Sequence, residues 1–302
     1  MVFIKLMSLE EAMKIAILGP TMNMLSYTTS RLLEEAKKEF EAELIPLIDI
    51  KLKVGNGMDI VHDKKSLKQF DYILPRIDSK RAAIGYPVIR FLDDLGVRKP
   101  YPAETVLIAH NKFLTLEELV KNGIPVPETY LTGSKTAAKD ILGRQRLPVI
   151  LKLLSSFGGQ GVMILESKDA VHTAIDTMTT LKQEILIEEY IPNPGEDIRG
   201  IVAGEEIVAS YKRIASPGEK KANLYSGGRP SVFKLTSEME EIVFRAAEAV
   251  KSKICAVDMV QGKDGIRVIE VNINPGLKGI EKATDINVAQ RIISFVKNEI
   301  KR

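Results

Sequence analysis

The chain has 302 residues, 45% of them hydrophobic and 27% charged, which is enough for two or three globular domains with a substantial core. The net charge of +3 is mild, and basic runs lack interleaved aromatic residues, which argues against nucleic acid as a partner. A single cysteine, Cys255, excludes an internal disulfide and favours a reducing cytoplasm, and no apolar run approaches the ~20 residues that cross a membrane.

The first predicted domain is an α/β domain over residues 13–97, preceded by an N-terminal extension over residues 1–12. "KIAILGP" predicts a buried parallel strand, and helical spacing follows over Ser30–Phe40. "AELIPLI" and "DYILPRI" predict two further strands, and this alternation of strands with a helix is typical of a parallel sheet. "GPTMNM" lacks the spaced glycines of a dinucleotide-binding loop, which argues against NAD.

From Asn111 the pattern changes to a mixture of helices and short strands. Lys112–Lys121 has the spacing of an amphipathic helix, and short apolar strands alternate with a second helix after it. Beyond Gly195 the strands "DIRGIVAG", "EIVASYKRI", "ICAVDMV" and "GIRVIEVNI" predict a largely antiparallel sheet.

The strand "VIEVNIN" carries polar residues at alternate positions, and these are Glu270, Asn272 and Asn274. Its predicted partner strand carries Asp258, and side chains that alternate with period two place Asp258, Glu270 and Asn272 on one face. Oxygen ligands without histidine or cysteine favour Mg²⁺ or Mn²⁺ over zinc, with a nucleotide opposite this face. The alternative is a hairpin whose polar side simply faces solvent.

The turn signal "QGKDG" sets the expected register of this hairpin. If the chain turns across Gln261–Gly265, Val260 pairs with Ile266 and Asp258 faces Val268. Glu270 then lies diagonally from Asp258, at the ~7–8 Å backbone separation that two carboxylates can close around a cation.

Three further segments are suited to a nucleotide. Lys152 lies in an apolar strand just before a glycine cluster, where lysine and backbone N–H groups can bind phosphate, although an edge-strand lysine before a flexible turn is the alternative. "ILIEEYIP" can offer backbone groups to a base and a carboxylate to a ribose. Arg199 and Arg213 lie on adjacent predicted strands and are suited to a transferring phosphoryl group.

In this order and spacing, the segments resemble those of ATP-grasp carboxylate–amine ligases, and more narrowly of the RimK family of glutamate ligases. The resemblance extends from about Met13 to the C-terminus and is strongest over residues 148–292, where "VDMVQGKDGIRVIEVNINPGLKGIEKATDINVA" and "NLYSGG" match the family pattern. It implies a pre-ATP-grasp parallel-sheet domain followed by the two-lobed α+β ATP-grasp fold, with a central lobe over residues 98–184 and a C-terminal lobe over residues 185–302.

The resemblance also implies roles for individual residues. The implied metal ligands are Asp258, Glu270 and Asn272, and the implied catalytic residues are Arg213, Lys152 and Arg199. The implied nucleotide contacts are Lys112, Lys152, Gly158, Gly159, Gly161, Glu188, Glu189, Tyr190, Ile191, Asp197, Lys221 and Asn223.

The implied activity is ATP-dependent formation of an amide or peptide bond through an acyl phosphate, with ATP and two Mg²⁺ or Mn²⁺ ions. The implied amine donor is glutamate, and the carboxylate acceptor is a protein C-terminus, a coenzyme tail or a carrier protein. A homo-oligomer in the cytoplasm, with no nucleic acid or membrane partner, is expected. A small-molecule kinase on the same scaffold and an ATP-binding protein without turnover are the alternatives.

Overall fold

A computed structural model of the protein describes residues 13–19, 25–154, 161–217, 222 and 228–302. Its N-terminal part is built on a parallel sheet of three strands, as predicted, with a small antiparallel sheet that the sequence analysis did not predict. The elements of this part are β1 (Lys14–Gly19), α1 (Tyr27–Glu39), β2 (Glu41–Pro46), β3 (Lys51–Lys53), β4 (Asp59–His62), β5 (Lys65–Ser66), β6 (Tyr72–Pro75), α2 (Ala82–Asp94) and α3 (Ala103–Ala109).

The parallel sheet has the strand order β2-β1-β6, with β1 in the centre. Residues 15–18 of β1 are fully buried, since a parallel sheet has both of its faces covered. The helix α1 begins after Ser26, whose hydroxyl accepts a hydrogen bond from the backbone N–H of Thr29. Because β1 and β6 are parallel neighbours, their carboxyl ends lie at the same edge of the sheet.

The central lobe contains an antiparallel sheet of four strands. The strand that carries Lys152 pairs on one side with a strand that ends at Glu189 and on the other with the strand after the glycine cluster. The elements are α4 (Lys112–Lys121), β7 (Thr129–Thr132), α5 (Lys135–Arg144), β8 (Val149–Lys152), β9 (Val162–Leu165), α6 (Lys168–Thr180) and β10 (Ile185–Glu189), and the strand order is β7-β10-β8-β9.

The C-terminal lobe is built on an antiparallel sheet of five strands, which confirms the predicted arrangement beyond Gly195. Its central strands are almost wholly buried, and Cys255 lies among them as an inert thiol whose pKa burial raises to about 12. The elements are β11 (Glu196–Ala203), β12 (Glu206–Ile214), β13 (Arg229–Val232), α7 (Ser237–Ala249), β14 (Ile254–Gly262), β15 (Gly265–Asn272), α8 (Lys278–Thr284) and α9 (Val288–Lys301), and the strand order is β13-β12-β11-β14-β15.

The hairpin of β14 and β15 differs from the predicted register. Gly262 pairs with Gly265, so the turn contains only two residues, and Val260 pairs with Arg267 instead of Ile266. A β-bulge between Asp258 and Met259 then shifts the pairing by one residue. The predicted register was therefore wrong, because neither the short turn nor the bulge is visible in the hydrophobic pattern.

The N-terminal sheet packs directly on the C-terminal lobe. Buried residues of β1 and β6 share one hydrophobic cluster with residues of β11, β12, β14 and α9. Charged contacts reinforce the interface: Arg31 of α1 donates to Asn287 at 3.0 Å and lies 3.6 Å from the carboxylate of Glu281. The parallel sheet is thereby held against the C-terminal sheet and α9.

Candidate active site

The three acidic and amide residues of the final hairpin lie on one face of the sheet. Asp258 of β14 is directly opposite Glu270 of β15, and Asn272 is opposite Ala256. Since alternate residues share a face, Asp258, Glu270 and Asn272 project to the same side. The shared face is as predicted, although Glu270 faces Asp258 directly and not diagonally. A bulge commonly re-aims a side chain beside a functional site in this way.

Two buried arginines lie on the same face and bind Asp258. Arg199 Nε and Nη2 each lie 2.6 Å from one oxygen of the Asp258 carboxylate, and Arg213 Nη2 lies 2.8 Å from Oδ2. Arg213 also donates through Nε to Asp197, its direct partner across the β11–β12 ladder. Two cations and two anions thus form a buried network of zero net charge across three strands.

This network perturbs the protonation of both carboxylates. Burial acts to raise the pKa of Asp258, but Arg199 and Arg213 outweigh burial and hold that pKa well below its usual range. Burial raises the pKa of Asp197 to about 6 against the opposing effect of Arg213. Asp258 is therefore the firmly ionised member of the network at neutral pH.

Two lysines lie close to this face. Lys152 of β8 is only 8% exposed, and its ammonium lies 2.6 and 2.7 Å from the two carboxylate oxygens of Glu188 on β10. Lys112 is at the start of α4, where burial lowers its pKa and the charges of Glu270, Lys152 and Glu188 act on it. The predicted phosphate contact Lys112 is thus a neighbour both of Lys152 and of the predicted metal ligand Glu270.

A pocket of about 160 Å³ opens between the N-terminal part and the last strand. Its wall contains two of the three predicted metal ligands, together with the start of α4. The lining residues are Asp78, Ser79, Ala109, His110, Lys112, Thr115, Ile269, Glu270, Val271, Asn272 and Asn274. Asp258 does not line the pocket and is 2% exposed.

The segment predicted to contact the adenine and ribose connects the two lobes. Glu189 is exposed at the end of β10 and its carboxylate accepts from the backbone N–H of Glu128 at 3.3 Å. Tyr190 and Ile191 are half-buried. Ile191 packs on Gly262, where a Cβ atom would lie 2.6 Å from the isoleucine side chain, so this hairpin position requires glycine.

The glycine cluster is described only at its end. Gly161 has a φ of +72° and its carbonyl accepts from Leu153 N–H, so it closes the loop between β8 and β9. The predicted nucleotide contacts Gly158, Gly159, Lys221 and Asn223 lie outside the described residues, as does the predicted extension over residues 1–12.

Sequence analysis missed several polar residues of the pocket. His110 immediately precedes α4, and burial lowers the pKa of its imidazole, which forms a hydrogen bond with the backbone of Ile77. The side-chain amide of Asn274 donates to the carbonyl of the same Ile77. The only signal for Asn274 was its alternate spacing after Asn272, and His110 offered none, because its neighbours come from a distant segment.

The donor set on this face fits a hard divalent cation. Within the described ranges no three His, Cys, Asp or Glu residues are placed so that they could hold a metal ion together, so a metal here depends on the amide oxygen of Asn272 as well as on carboxylates. The carboxylate of Asp258 accepts three hydrogen bonds from arginines, which leaves one of its about four lone-pair sites available. Glu270 and Asn272 face the pocket directly.

The helices in the part of the chain that the structure describes include none that is long and apolar enough to span a membrane. This finding concerns helices only.

Comparison with known proteins identifies the family. The RimK PreATP-grasp domain matches residues 13–105, and the RimK-like ATP-grasp domain matches residues 109–296. The chain belongs to the RimK-like ATP-grasp family of ligases. The resemblance, the fold class and the predicted class of ATP-dependent carbon–nitrogen ligase are thereby confirmed. The proposed lobe boundaries at residues 97 and 184 stay predictions.

The relatives of this RimK-like chain cover nearly its whole length. A curated protein of Shewanella frigidimarina, named probable alpha-L-glutamate ligase 1, is 34% identical over 96% of this chain and 97% of its own. D-alanine–D-alanine ligase of Bacillus anthracis, solved with ATP, has a TM-score of 0.69 at 19% identity and covers 96% and 98% of the two chains. A macrocyclase of Microcystis aeruginosa, bound to its precursor peptide, has a TM-score of 0.71 at 16% identity and covers 95% and 100%.

Proposed function

We propose that the protein uses ATP to join the amino group of L-glutamate to a carboxylate of an acceptor. The observation that carries this proposal is the 34% identity, over nearly the full length, to a protein named probable alpha-L-glutamate ligase. The common face of Asp258, Glu270 and Asn272, bordered by buried lysines and arginines, supports it with the charges that phosphoryl transfer needs.

The reaction proceeds in two balanced steps. An oxygen of the acceptor carboxylate attacks the γ-phosphorus of ATP, the bond from that phosphorus to the bridging oxygen breaks, and ADP leaves. The amine nitrogen then attacks the acyl carbon, the bond from carbon to the phosphate oxygen breaks, and inorganic phosphate leaves as the nitrogen loses a proton. The products are an amide, ADP and phosphate.

The residues of the common face bind Mg²⁺ or Mn²⁺ in this proposal, with Glu270, Asn272 and the remaining lone pair of Asp258 as ligands of two ions. The ions neutralise charge on the phosphates when they are bound. Lys152, Arg199 and Arg213 stabilise the transferring phosphoryl group, since positioning and electrostatics dominate its transfer.

The remaining predicted residues bind the nucleotide in this proposal. Lys112 contacts the phosphates from the start of α4. The segment from Glu188 to Ile191 lies at the adenine, and Asp197 contributes on the ribose side. The glycines Gly158, Gly159 and Gly161 cover the phosphates and exclude water from the acyl phosphate, and Lys221 and Asn223 make further contacts.

The acceptor in this proposal is a carboxylate at a protein C-terminus, on a coenzyme tail or on a carrier protein. The macrocyclase of the same fold that was solved with its precursor peptide makes a peptide acceptor the first to test. A cytoplasmic homo-oligomer that binds neither nucleic acid nor membrane completes the proposal.

The ATP role of Lys152 can be tested without leaving the buried carboxylate of Glu188 unpaired. The double variant Lys152→Met/Glu188→Gln removes both charges of the buried pair, so it avoids leaving one of them unpaired. We expect it to fold and to bind a non-hydrolysable ATP analogue at least about 10-fold more weakly, because a charge-assisted contact to phosphate is lost. Isothermal titration calorimetry measures this affinity.

The matched control for Lys152 is Lys135→Met, which removes an exposed lysine paired with Asp176 in the same lobe. Its ATP affinity should equal that of the wild type. If the double variant also kept wild-type affinity, Lys152 would have no part in binding phosphate.

An amine screen and an isotope experiment test the proposed function as a whole. ADP release should depend on an amino acid, with L-glutamate the most effective, and ¹⁸O from the acceptor carboxylate should appear in the released phosphate. A stable phosphorylated product without amide formation would instead establish a kinase. ADP release that is independent of every amino acid and acceptor would contradict the ligase.

A further inference from the structure

Arg76 is a half-buried cation without a carboxylate partner in the part of the chain that the structure describes. Its Nη2 donates to two backbone carbonyls, those of Asn274 at 3.5 Å and Pro275 at 3.2 Å, and its Nε is enclosed and has no hydrogen-bond partner. By contrast Lys152, Arg199 and Arg213 each contact a carboxylate. An enclosed donor without an acceptor is costly, so a guanidinium in this state is suited to receive an anion.

The position of Arg76 places it beside the candidate active site. Its backbone N–H donates to Leu18 at 2.8 Å, so it extends β6 by one residue at the carboxyl edge of the parallel sheet. Tyr72 and Leu74 of β6 pack in the same cluster as Ala256 of β14, and period two puts Arg76 on their side. Asp258 follows Ala256 by two residues on β14 and therefore lies on the same face of the C-terminal sheet. Ligands of open α/β sheets bind at this carboxyl edge.

The unpartnered buried atoms of the described residues concentrate at this point. Four of the six are Arg76 Nε, Ser79 Oγ, His110 Nε2 and Asn274 Oδ1, and a fifth is the hydroxyl of Tyr101, which lies within electrostatic range of Arg76. Such atoms are rare in folded proteins. Their concentration beside the pocket indicates that a polar ligand supplies the missing partners.

The chemistry of these atoms defines the ligand. Arg76 offers a donor that lacks an acceptor. Asn274 commits its amide nitrogen to the carbonyl of Ile77 and leaves its oxygen as an acceptor, and the Ile77 backbone hydrogen bond leaves His110 Nε2 without a partner. An amino acid offers both kinds of partner: its carboxylate can accept from Arg76, and its amino N–H groups can donate to Asn274 and His110.

We propose that Arg76 binds a non-reacting carboxylate of the amino acid that serves as amine donor, and that the amino group of this substrate lies toward His110 and Asn274. The planar guanidinium is suited to this because it matches the geometry of a carboxylate. Burial lowers the pKa of Arg76 to about 10, which keeps it charged at neutral pH. The inference rests on the proposed function and adds a specificity-determining residue to it.

The variant Arg76→Gln tests the inference against a matched control, Arg98→Gln. Arg98 also donates to two backbone carbonyls across the same interface, Glu299 and Ile300 at 2.8 Å each, but it lies exposed and away from the pocket. We expect Arg76→Gln to raise the KM for L-glutamate by about 30-fold or more, as truncation of one partner of a buried charge pair does. The KM for ATP should stay within about threefold, and Arg98→Gln should leave both constants unchanged, consistent with a surface contact.

The ratio of kcat/KM for L-glutamate to kcat/KM for its amides shows whether Arg76 binds a substrate carboxylate or only supports the local structure. In the wild type the ratio should favour glutamate over whichever amide, α or γ, masks the carboxylate bound by Arg76. In Arg76→Gln this ratio should fall toward one, and Arg76→Lys should restore part of it. If kcat/KM fell equally with glutamate and with both amides, the inference would be overturned, because an equal fall indicates only a disturbed Asn274–Pro275 segment.

Two further results distinguish the sources of failure. A rise in the KM of the acceptor alone would overturn the assignment to the amine donor. If the wild type showed no ADP release dependent on an amino acid, the proposed function would fail. Calorimetry of L-glutamate binding in the presence of Mg²⁺ and a non-hydrolysable ATP analogue would still test whether Arg76 binds the amino acid. Loss of that binding in Arg76→Gln but not in Arg98→Gln supports the inference, and equal binding in all three proteins overturns it.

Discussion

The variant Glu270→Gln is expected to lose turnover by more than about 100-fold while it keeps its fold. Glu270 faces Asp258 across the final hairpin and lines the pocket beside Lys112. An amide of the same shape keeps the packing but removes the charge that a hard divalent cation requires, so the metal contribution to phosphoryl transfer is lost. Steady-state ADP release at saturating Mg²⁺ and ATP measures the change.

The same hairpin supplies the control for this prediction. Asp264 is an exposed carboxylate in the turn, and Asp264→Asn removes one negative charge six residues from Glu270. Its turnover should stay within about twofold of the wild type, because an exposed substitution away from the site has little effect. Near-normal activity of Glu270→Gln would remove Glu270 from the metal site and leave the polar face as an ordinary hairpin side.

The second prediction concerns stability. Asp258→Ala is expected to lower the free energy of unfolding by about 3–5 kcal/mol, because it leaves Arg199 and Arg213 buried with one carboxylate fewer. Chemical denaturation measures the loss. The double variant Asp258→Ala/Arg199→Met should recover part of it, since one of the stranded cations is then replaced by an apolar side chain. If the single variant were as stable as the wild type, the network would not stabilise the fold.

The pH dependence of unfolding gives an independent check on this network. The folded pKa of Asp258 lies below its unfolded value of about 3.9. Its contribution is therefore complete above that value and declines as the pH falls toward the folded pKa. In an Asp197→Asn background, the difference in unfolding free energy between the proteins with Asp258 and with Asp258→Asn should be constant above about pH 5 and shrink below about pH 4. A difference that grows on acidification would contradict the assigned ionisation.

The contribution of Asp197 to stability depends on pH in the opposite direction to that of Asp258. Its folded pKa of about 6 exceeds the unfolded value of about 3.9, so its contribution is most favourable at low pH and decreases as the pH rises from about 4 to 6. Asp197→Asn should abolish this segment of the pH profile and leave the acid limb of Asp258 intact.

The final hairpin shows how far a sequence pattern reaches. Alternation placed Asp258, Glu270 and Asn272 on one face, and they do share it. The register behind that prediction was wrong. With the observed two-residue turn and no bulge, Asp258 would face Ile269, which would put Glu270 on the opposite face of the sheet. The bulge restores the shared face, and only the folded sheet reveals it, because a bulge leaves hydrophobic alternation nearly unchanged.

The charged residues show a second limit. The sequence identified Lys152, Arg199 and Arg213 as candidates for phosphate, but it gave no sign that Glu188, Asp258 and Asp197 pair with them. Such partners come from neighbouring strands that are up to 59 residues away in the chain. Arg76 is the converse case, since its lack of a carboxylate among the described residues is visible only once its surroundings are known.

The sequence by itself predicted the three parallel strands, the antiparallel strands beyond Gly195 and the family, because periodicity and ordered motifs are local properties of the chain. Tertiary structure alone decided which charges are neutralised, which lone pairs remain for a metal, and that Arg76 contacts the backbone of Asn274 while His110 and Asn274 line one pocket. The physical reason is that the energy of a buried charge depends on neighbours supplied by distant segments, and local pattern does not record them.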